Sequence, residues 1–517
     1  MARTGHGGVT RSIRTLGEPK NWQLRASRQE REETMTLRSS RFCADDESGT
    51  INRRRFLTGG AAVVAGTAGV MLLGSPVAMA ATKAQAAVAP TFATFDVRNY
   101  GATGDGTTDD TAAIIRTVQA AEAAGGGIVF FGAGVFLVNT FVNGKKGFSW
   151  AIPIKGDNIT VRGSGDNTVI RSTATPPSAL ILFWPHGAGR TFSNIGDYTT
   201  SWVTAYPVIP MQPAAKGATS ITLASGHGLV TGDTIFVRTG QTIPSGNLLQ
   251  PDAEINVVTG VSDNRIDVQY PLAKPYAQEY YNPQQPYRSS TTTVGTPAPF
   301  GVTRLTDNVM RNLVFEDLTF DTPKALYWMA PMQAIGVRVS RCTGNFGNSA
   351  VGCQYVRSQI TEDITATKVG TDIANSAVAG GATGTTDLIV RRITCSGQVP
   401  AMIHLHEGVA QAHVSDVSLT SMGLDVSSDG GISIRGRSYD TIVENTFVHG
   451  ATRNTCMTVD ADCVYGGTLR GNRLEPLLSP FAADIRGTGW QVYNNSTSRP
   501  MYVQGNNNVH DNTIQPV

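Results

Sequence analysis

Short segments in the second half of the chain alternate apolar and polar residues. Nine of them, aligned on their first residue, follow one another at separations of 24, 22, 29, 24, 29, 26, 23 and 17 residues. They begin at Phe315, Val339, Thr361, Val390, Val414, Val443, Leu469, Val492 and Val509. Alternation with a period of two predicts β-strands, and a repeat in the twenties predicts a solenoid of stacked coils. The consensus of a leucine-rich repeat is absent, so we predict an all-β, right-handed parallel β-helix, the usual hand of parallel crossovers.

The same alignment predicts whether two of the cysteines are buried or exposed. Cys342 and Cys395 each fall in a column of inward-facing apolar residues, so we expect buried thiols rather than nucleophiles. The chain has six cysteines, and five lie beyond residue 80. An odd number in so long a chain does not predict a disulfide scaffold, although one local bridge between Cys456 and Cys463 stays open.

A Gly- and Asp-rich stretch, "YGATGDGTTDDTAAI", covers residues 100–114. It lacks the GK[ST] of a phosphate loop and the regular acidic positions of a hand-type calcium loop. We interpret it as a turn in which Asp109 or Asp110 caps a helix over residues 111–124. Such a capping helix would cover the open end of the solenoid and hide its strand edges. Its apolar face consists of Ile114, Ile115, Val118 and Ala121.

Composition changes between this cap and the coils. Residues 206–272 hold short alternating strands separated by Gly and Asp turns, which predict a small inserted β-barrel-like subdomain. We therefore divide the chain into the cap and first coils at 92–205, the insertion at 206–272 and further coils at 273–517. The segment after the insertion is rich in tyrosine and either stacks against sugar rings or packs as a linker. Its tyrosines are Tyr276, Tyr280, Tyr281 and Tyr287.

Residues 1–80 predict a targeting signal with an N-terminal extension. Arg53, Arg54 and Arg55 precede an uncharged stretch of small and apolar residues, and Ala80 ends an A-x-A cleavage motif. This order is typical of a twin-arginine signal peptide cleaved after Ala80, and the apolar stretch is too short for a retained transmembrane helix. We therefore expect secretion and no membrane association of the mature protein. The start codon is either Met1 or Met35.

Charge argues against nucleic-acid binding. The chain has 42 Lys and Arg against 40 Asp and Glu, and its first 80 residues hold 12 and 7 of them. The remainder therefore carries 30 basic and 33 acidic residues, which is not the basic footprint of a nucleic-acid-binding protein.

The cap sequence "FDVRNYGATGDGTTDDTAAIIRTVQAAEAAGGGIVFFGAGVFLV" resembles the N-terminal cap of the pectate-lyase-like superfamily. Members commonly have proline and tyrosine where Gly132 and Phe136 stand here. The resemblance implies a β-helix protein that acts on or binds polysaccharide, because the superfamily includes polygalacturonase-type glycosidases, polysaccharide lyases, fructan-cleaving transferases and phage tailspikes. The coils carry no catalytic signature of any of these families, so the resemblance transfers no catalytic residue.

Candidate chemistry lies on the strand that precedes each aligned segment. Apolar alternation fixes which residues of these strands face inward, and the outward residues then form two neighbouring columns. One column consists of His406, Arg435, Asp460, Arg486 and Gln504. The other consists of His404, Ser433, Thr458, Asp484 and Tyr502. Strands about 4.8 Å apart would bring these side chains into one patch.

This patch predicts an active-site groove. Glycoside hydrolysis requires two carboxyl groups, and the acid/base candidates are Glu407, Asp429, Asp460 and Asp484. The groups expected to bind substrate are His404, His406, Arg435, Arg437 and Arg486. Alternatively, the charges only neutralise one another at the surface, where ion pairs contribute about 0–1 kcal/mol. We expect no metal or other cofactor; Ca²⁺ on Asp460, Asp462 and Asp484 is a weaker alternative.

Three functions compete. The first is a secreted glycoside hydrolase with paired carboxylates. The second is a polysaccharide lyase that acts on a uronate polymer with Arg435 or a histidine as base, since no lysine follows Lys368. The third is a non-catalytic glycan-binding or tailspike-like protein. We expect a polysaccharide substrate and either a monomer or a homotrimer; the sequence does not specify which polysaccharide.

Overall fold

The computed structural model describes residues 92–143, 148–175, 179–186, 207–245, 248–277, 300–305, 309–324, 327–347, 349–369, 377–381, 384–397, 402–406, 408–421, 431–450, 455–460, 463 and 465–515. Over these residues the chain is a mostly parallel β-solenoid of about 11 turns with very little helix. The predicted right-handed parallel β-helix is confirmed. The predicted leader, residues 1–80, lies outside the described residues.

The first part of the chain forms the cap and the first coils. Its helices are a 3-10 helix, Val97–Tyr100, and α1, Thr111–Ala123. Its strands are β1 Thr94–Asp96, β2 Asp105–Asp109, β3 Gly127–Phe130, β4 Gly134–Leu137, β5 Val142–Asn143, β6 Phe148–Ile154, β7 Ile159–Arg162, β8 Thr168–Arg171 and β9 Ala179–Pro185. Helix α1 buries Ile114, Val118 and Ala121 against the core, as its apolar spacing predicts.

The two aspartates before α1 have different roles. Asp110 occupies the N-cap position, but its side chain makes no hydrogen bond to the helix. Instead its carboxylate accepts the backbone N–H groups of Thr103 at 2.7 Å and Gly104 at 3.1 Å. Asp109 accepts the backbone N–H of Thr111 at 3.0 Å. Asp110 therefore fixes the preceding loop, and Asp109 provides the hydrogen bond to the helix start.

The inserted subdomain is an antiparallel sheet whose strands pair in the order β10-β15-β12-β13-β14-β11. The strands are β10 Val208–Ile209, β11 Ser220–Thr222, β12 Thr234–Ser245, β13 Leu248–Ser262, β14 Arg265–Val268 and β15 Gly301–Arg304. Strand β15 lies beyond the predicted end of the insertion at residue 272. Tyr276 is buried in the subdomain core, so it provides no sugar-stacking surface. The other tyrosines of this segment lie outside the described residues.

The remaining strands form the coils. In chain order they are β16 Met310–Thr322, β17 Tyr327–Met329, β18 Met332–Phe346, β19 Gln354–Lys368, β20 Ala377–Gly381, β21 Thr386–Gly397, β22 Met402–Leu405, β23 Ala410–Ser421, β24 Gly431–Ile434, β25 Tyr439–Glu444, β26 Phe447–His449, β27 Met457–Val459, β28 Tyr465–Arg470, β29 Arg473–Glu475, β30 Ala483–Ile485, β31 Trp490–Tyr493, β32 Ser496–Thr497, β33 Met501–Val503, β34 Asn508–His510 and β35 Thr513–Ile514. Strands β20, β22, β24, β27, β30 and β33 pair in parallel as one sheet, hereafter the short-strand sheet.

The predicted alignment of the nine segments is the register of the structure. Their first residues are consecutive partners in one parallel ladder, from Phe315 beside Val339 to Val492 beside Val509. Cys342 and Cys395 lie in the predicted inward columns and are buried. None of the five described cysteines forms a disulfide, so the bridge between Cys456 and Cys463 is not formed.

The insertion packs on the outside of the coils. Phe236 and Ile255 of the insertion lie in one apolar cluster with Trp184, Met332 and Tyr355 of the coils. Beside this cluster, Lys274 Nζ lies 2.6 Å from Asp252 Oδ1, and both side chains are fully buried. No helix among the described residues is long and apolar enough to cross a membrane.

Candidate functional site

The short-strand sheet brings the predicted outward residues into register. His404 pairs with Ser433, Ser433 with Thr458, Thr458 with Asp484, and Asp484 with Tyr502. Residues on either side of this column, such as Ile403 and Leu405, belong to the buried core. One polar side chain from each of five successive coils therefore projects from the same face of the sheet.

A second column continues just beyond the strand ends. The backbone N–H groups of its residues donate to carbonyls of the preceding coil: Arg435 to Leu405, Asp460 to Ile434, Arg486 to Val459 and Gln504 to Ile485, at 2.7–3.0 Å. The parallel ladder thus extends to the column that contains His406, Arg435, Asp460, Arg486 and Gln504. We refer to the two columns together as the polar ladder.

The two histidines lie at one end of the polar ladder and are more buried than the strand pattern predicts. Only 2% of His404 and 4% of His406 is exposed. Their rings stack with centroids 4.3 Å apart, and His406 Nε2 lies 3.0 Å from the Ser433 hydroxyl oxygen. Packing against each other holds both imidazoles close to the sheet, so they are not open surface groups.

The two described carboxylates of the polar ladder have unlike partners. Asp484 accepts two hydrogen bonds from Arg486, at 2.9 Å from Nε and 2.7 Å from Nη2. These bonds raise the pKa of Arg486 against the opposing effect of burial. Asp460 has a looser contact, with its Oδ2 3.7 Å from Arg435 Nε. Among the described residues, no hydrogen bond to the Asp460 carboxylate is present.

Arg437 lies outside the polar ladder, in the turn that follows β24. Its Nη2 donates to the Tyr465 hydroxyl at 2.8 Å, and the Tyr465 ring stacks on Tyr439 at 4.1 Å. Lys274 of the insertion lies 5.5 Å from the centre of the Tyr439 ring. Arg437 therefore belongs to the contact between the coils and the insertion.

Two predicted catalytic residues, Glu407 and Asp429, lie outside the described residues, as does Asp462. Within the described residues no group of three or more His, Cys, Asp or Glu side chains is placed to hold a metal ion. Arg486 donates to both oxygens of Asp484, one of the three aspartates of the calcium alternative. Because Asp462, a second of them, lies outside the described residues, the calcium alternative stays a prediction.

The sequence-based prediction of the site did not include one aromatic residue that lies beside the polar ladder. Phe481, in the loop before β30, lies with its ring centroid 5.5 Å from that of Tyr502. The available signal was "EPLLSPF", residues 475–481, in which large apolar residues occur without the alternation of a strand.

Comparison with known proteins supports the superfamily. Residues 94–175 match the family described as "Rhamnogalacturonase A/epimerase, pectate lyase-like". The chain is 44% identical over 78 residues to mannuronan C5-epimerase AlgE3 of Azotobacter vinelandii, covering 15% of this chain and 4% of that protein. It is 40% identical over 78 residues to alginate lyase 7 of the same organism, covering 15% and 9%. The chain thus spans less than a tenth of the length of these curated relatives.

Solved structures resemble the chain at low identity. The tailspike gp61 of Pseudomonas phage phi297 has a TM-score of 0.40 at 12% identity, covering 80% of this chain and 77% of that one. The family 28 exopolygalacturonase of Yersinia enterocolitica has a TM-score of 0.33 at 12% identity, covering 82% and 75%. The predicted resemblance to the pectate-lyase-like superfamily is confirmed.

Proposed function

We propose that the protein is a secreted carbohydrate-active enzyme that cleaves glycosidic bonds of a polysaccharide bound along the polar ladder. The observation that carries this proposal is the register, which aligns ionisable side chains from successive coils on one face of the short-strand sheet. A surface with only a structural role would not require two histidines, two arginines and two carboxylates in adjoining columns. The names of the relatives, which include epimerases and a lyase of polysaccharides, favour the same substrate class.

Glycoside hydrolysis with paired carboxylates is the first candidate mechanism. One carboxyl group protonates the leaving oxygen, and the other activates water or attacks the sugar. Asp460 is the described carboxylate best suited to this work, because within the described residues its carboxylate accepts no hydrogen bond, and Arg435 Nε lies 3.7 Å away. Its partner would be Glu407, Asp429 or Asp484. The guanidinium groups of Arg435 and Arg486 would bind sugar hydroxyl or carboxylate groups.

Polysaccharide β-elimination is the second candidate. A lyase removes the proton beside a uronate carboxylate, and a nearby cation neutralises that carboxylate. The stacked His404 and His406 would supply the base, and Arg435 on the next coil would supply the cation. The named alginate lyase and epimerases favour this candidate, because both activities begin with removal of such a proton.

Assays of the secreted protein against pectin, alginate, inulin and β-glucan distinguish the two mechanisms. Hydrolysis releases reducing ends without near-ultraviolet absorbance, whereas elimination creates an absorbing C=C bond. For a hydrolase, we expect Asp460→Asn to lower kcat by about 100-fold or more, as loss of a general acid or base does. Asp511→Asn, which changes an exposed carboxylate far along the chain, is the matched control.

For a lyase, His406→Gln would abolish the absorbance change while Asp460→Asn leaves most of it. The enzyme proposal fails if the protein is retained by a polysaccharide but produces neither signal on any of the four polymers. That result would favour the non-catalytic glycan-binding function.

A further inference from the structure

Two aromatic rings form an apolar surface at the far end of the polar ladder from the histidines. The rings of Phe481 and Tyr502 lie 5.5 Å apart at an angle of 51°. Phe481 is 37% exposed, and the preceding Leu477 and Leu478 are 46% and 57% exposed. This loop therefore has several large apolar side chains open to solvent, and Phe481 is the one that contacts the ladder, at Tyr502.

Polar groups surround the Tyr502 ring in fixed positions. Asp484 is its partner in the parallel ladder, and the Arg486 guanidinium lies 6.0 Å from the ring centre. Asp484 holds that guanidinium through two hydrogen bonds, and the Gln504 amide donates to the Tyr502 hydroxyl. The Tyr502 ring therefore has Phe481 beside it, the Arg486 guanidinium over the ring and the Gln504 amide at its hydroxyl, and Asp484 and Arg486 have opposite formal charges.

We propose that Phe481 and Tyr502 are the stacking platform of a sugar-binding subsite. A pyranose ring has an apolar C–H face and a rim of hydroxyl groups, which matches an aromatic surface bordered by hydrogen-bonding groups. Arg486 and Gln504 bind the hydroxyl groups at the edge of the ring that stacks on the platform. The subsite rests on the proposed function, because it lies on the same polar ladder. It adds a position that binds the apolar C–H face of one sugar ring of the polymer.

This assignment changes the role of Asp484. Both oxygens of the Asp484 carboxylate accept hydrogen bonds from the Arg486 guanidinium, a geometry that orients the guanidinium and leaves the carboxylate poorly placed to transfer a proton to the substrate. Asp484 is therefore a positioning residue that orients Arg486 toward the bound sugar. The general acid and the general base of a hydrolase are then two of the three residues Asp460, Glu407 and Asp429.

A glycan fits this surface better than a second copy of the chain. The platform is continuous with the polar ladder, because Asp484 pairs with Tyr502 and the Arg486 guanidinium lies 6.0 Å from the centre of the Tyr502 ring. The core of a protein interface is depleted in charged residues, whereas a sugar subsite combines one aromatic face with several convergent polar groups.

Affinity gel electrophoresis tests the platform on the secreted full chain. Gels contain polygalacturonate, alginate, inulin or β-glucan, and every protein carries both Asp460→Asn and His406→Gln so that binding is measured without turnover by either candidate mechanism. We expect Tyr502→Ala and Phe481→Ser each to raise the dissociation constant of the retaining polymer about tenfold. Tyr502→Phe keeps the ring and should stay within about threefold. Tyr493→Ala is the control, because that ring stacks on His510 at a different face of the coils.

The outcomes separate this proposal from the proposed function. Weakened retention in both platform variants supports the subsite even if no polymer is cleaved. Retention of Tyr502→Ala and Phe481→Ser equal to that of their parent overturns it, even if Asp460→Asn abolishes turnover. Failure of the parent to bind any of the four polymers also counts against it. A dimer in size-exclusion chromatography that both variants dissociate, with glycan retention unchanged, assigns the surface to self-association instead.

Steady-state kinetics test the positioning role of Asp484 separately. In the background with Asp460 and His406 intact, Asp484→Asn should raise KM several-fold and leave kcat and its pH profile unchanged. Loss of one limb of the pH profile would overturn the positioning role and make Asp484 an acid or base.

Discussion

Charged side chains occupy left-handed backbone positions along one corner of the coils. Arg341 and Arg392 have φ of 52° and 53°, a region that side chains with a Cβ rarely adopt. Each guanidinium bonds the aspartate beside it on the preceding coil, with Arg341 Nε 2.6 Å from Asp317 and Arg392 Nε 2.6 Å from Asp363. Bidentate ion pairs between stacked corners thus offset part of the cost of the backbone conformation.

Glu362, beside this corner, provides a pH-dependent prediction. Its side chain is only 1% exposed and lies 2.5–2.7 Å from Arg338, Arg391 and Arg392. Burial alone would raise the pKa of Glu362, but the three guanidinium groups outweigh burial and lower it below the ordinary value of 4.5. A lowered pKa contributes stability above the unfolded-state pKa, and this contribution is lost as the pH falls through the folded-state pKa.

We therefore expect Glu362→Gln to reduce the free energy of unfolding by about 1–3 kcal/mol at pH 7, the usual range for hydrogen bonds to charged groups. The difference from the parent should shrink as the pH falls below 4.5. Urea unfolding at pH 7 and pH 3 measures both values, with the exposed Asp511→Asn as control. An equal difference at the two pH values would contradict the assignment.

The sequence predicted some residue environments and missed others for a clear reason. Cys342 was placed in the core because its column contains apolar residues in neighbouring coils, and packing within a column follows strand periodicity. The burial of His404 and His406 was missed because exposure on the outer face depends on what packs over the strand. Strand periodicity contains no information about that packing.

At the scale of elements, a buried ladder of amide side chains joins successive coils next to the left-handed corner. Asn472 Nδ2 donates to Asn495 Oδ1 at 2.9 Å, and Asn495 Nδ2 donates to Asn512 Oδ1 at 2.8 Å. The same oxygens accept backbone N–H groups, and Asn472 Oδ1 also accepts the hydroxyl of Thr446 at 2.8 Å. Each amide therefore satisfies backbone groups at a turn that would otherwise be buried without partners.

We expect Asn472→Ala to reduce the free energy of unfolding by about 2–4 kcal/mol, because it leaves buried donors and acceptors unpaired on both neighbouring coils. Asn508→Ala is the control, since that side chain is exposed and donates to Gln491 at 2.7 Å on the surface. Thermal and urea unfolding would measure both. Equal losses of unfolding free energy in the two variants would show that the buried amide ladder stabilises the fold no more than an exposed hydrogen bond does.

The repeat predicted these elements, but not all of their contacts. The Asn and Asp residues of the aligned segments marked a turn, and the structure places one column of them in left-handed conformation, as Asn445 and Asn494 show. The neighbouring column, with Asn472 and Asn495, points inward instead. A one-residue offset separates the two roles, and the sequence pattern alone does not determine which amide faces the core.

At the scale of the whole molecule, a buried ion pair joins the insertion to the coils. Arg357 Nη1 of β19 lies 3.5 Å from Glu254 Oε1 of β13, and both side chains are buried. Within the insertion, the buried pair of Lys274 and Asp252 lies against the Tyr439 ring of the coils. Lys216 of the insertion also bonds Asp440, the second residue of β25, at 2.5 Å in a more exposed contact. The sequence predicted the insertion from its short strands, but charged residues in short strands normally indicate a solvent face. Their burial arises only when two distant parts of the chain meet.

The pair of Lys274 and Asp252 gives the last prediction. Both side chains are fully buried, so Lys274→Met leaves the Asp252 carboxylate in an apolar contact without its cation. Loss of one partner of a buried ion pair costs about 3–5 kcal/mol, whereas replacement of both partners by apolar residues is often neutral. Lys274→Met should therefore lower the free energy of unfolding far more than the double variant Lys274→Met/Asp252→Leu. Urea unfolding of the parent, both single variants and the double variant measures the coupling between the two side chains. If the double variant is instead as unstable as the sum of the single variants, the two charges are not coupled, and the buried pair is not a unit of stability.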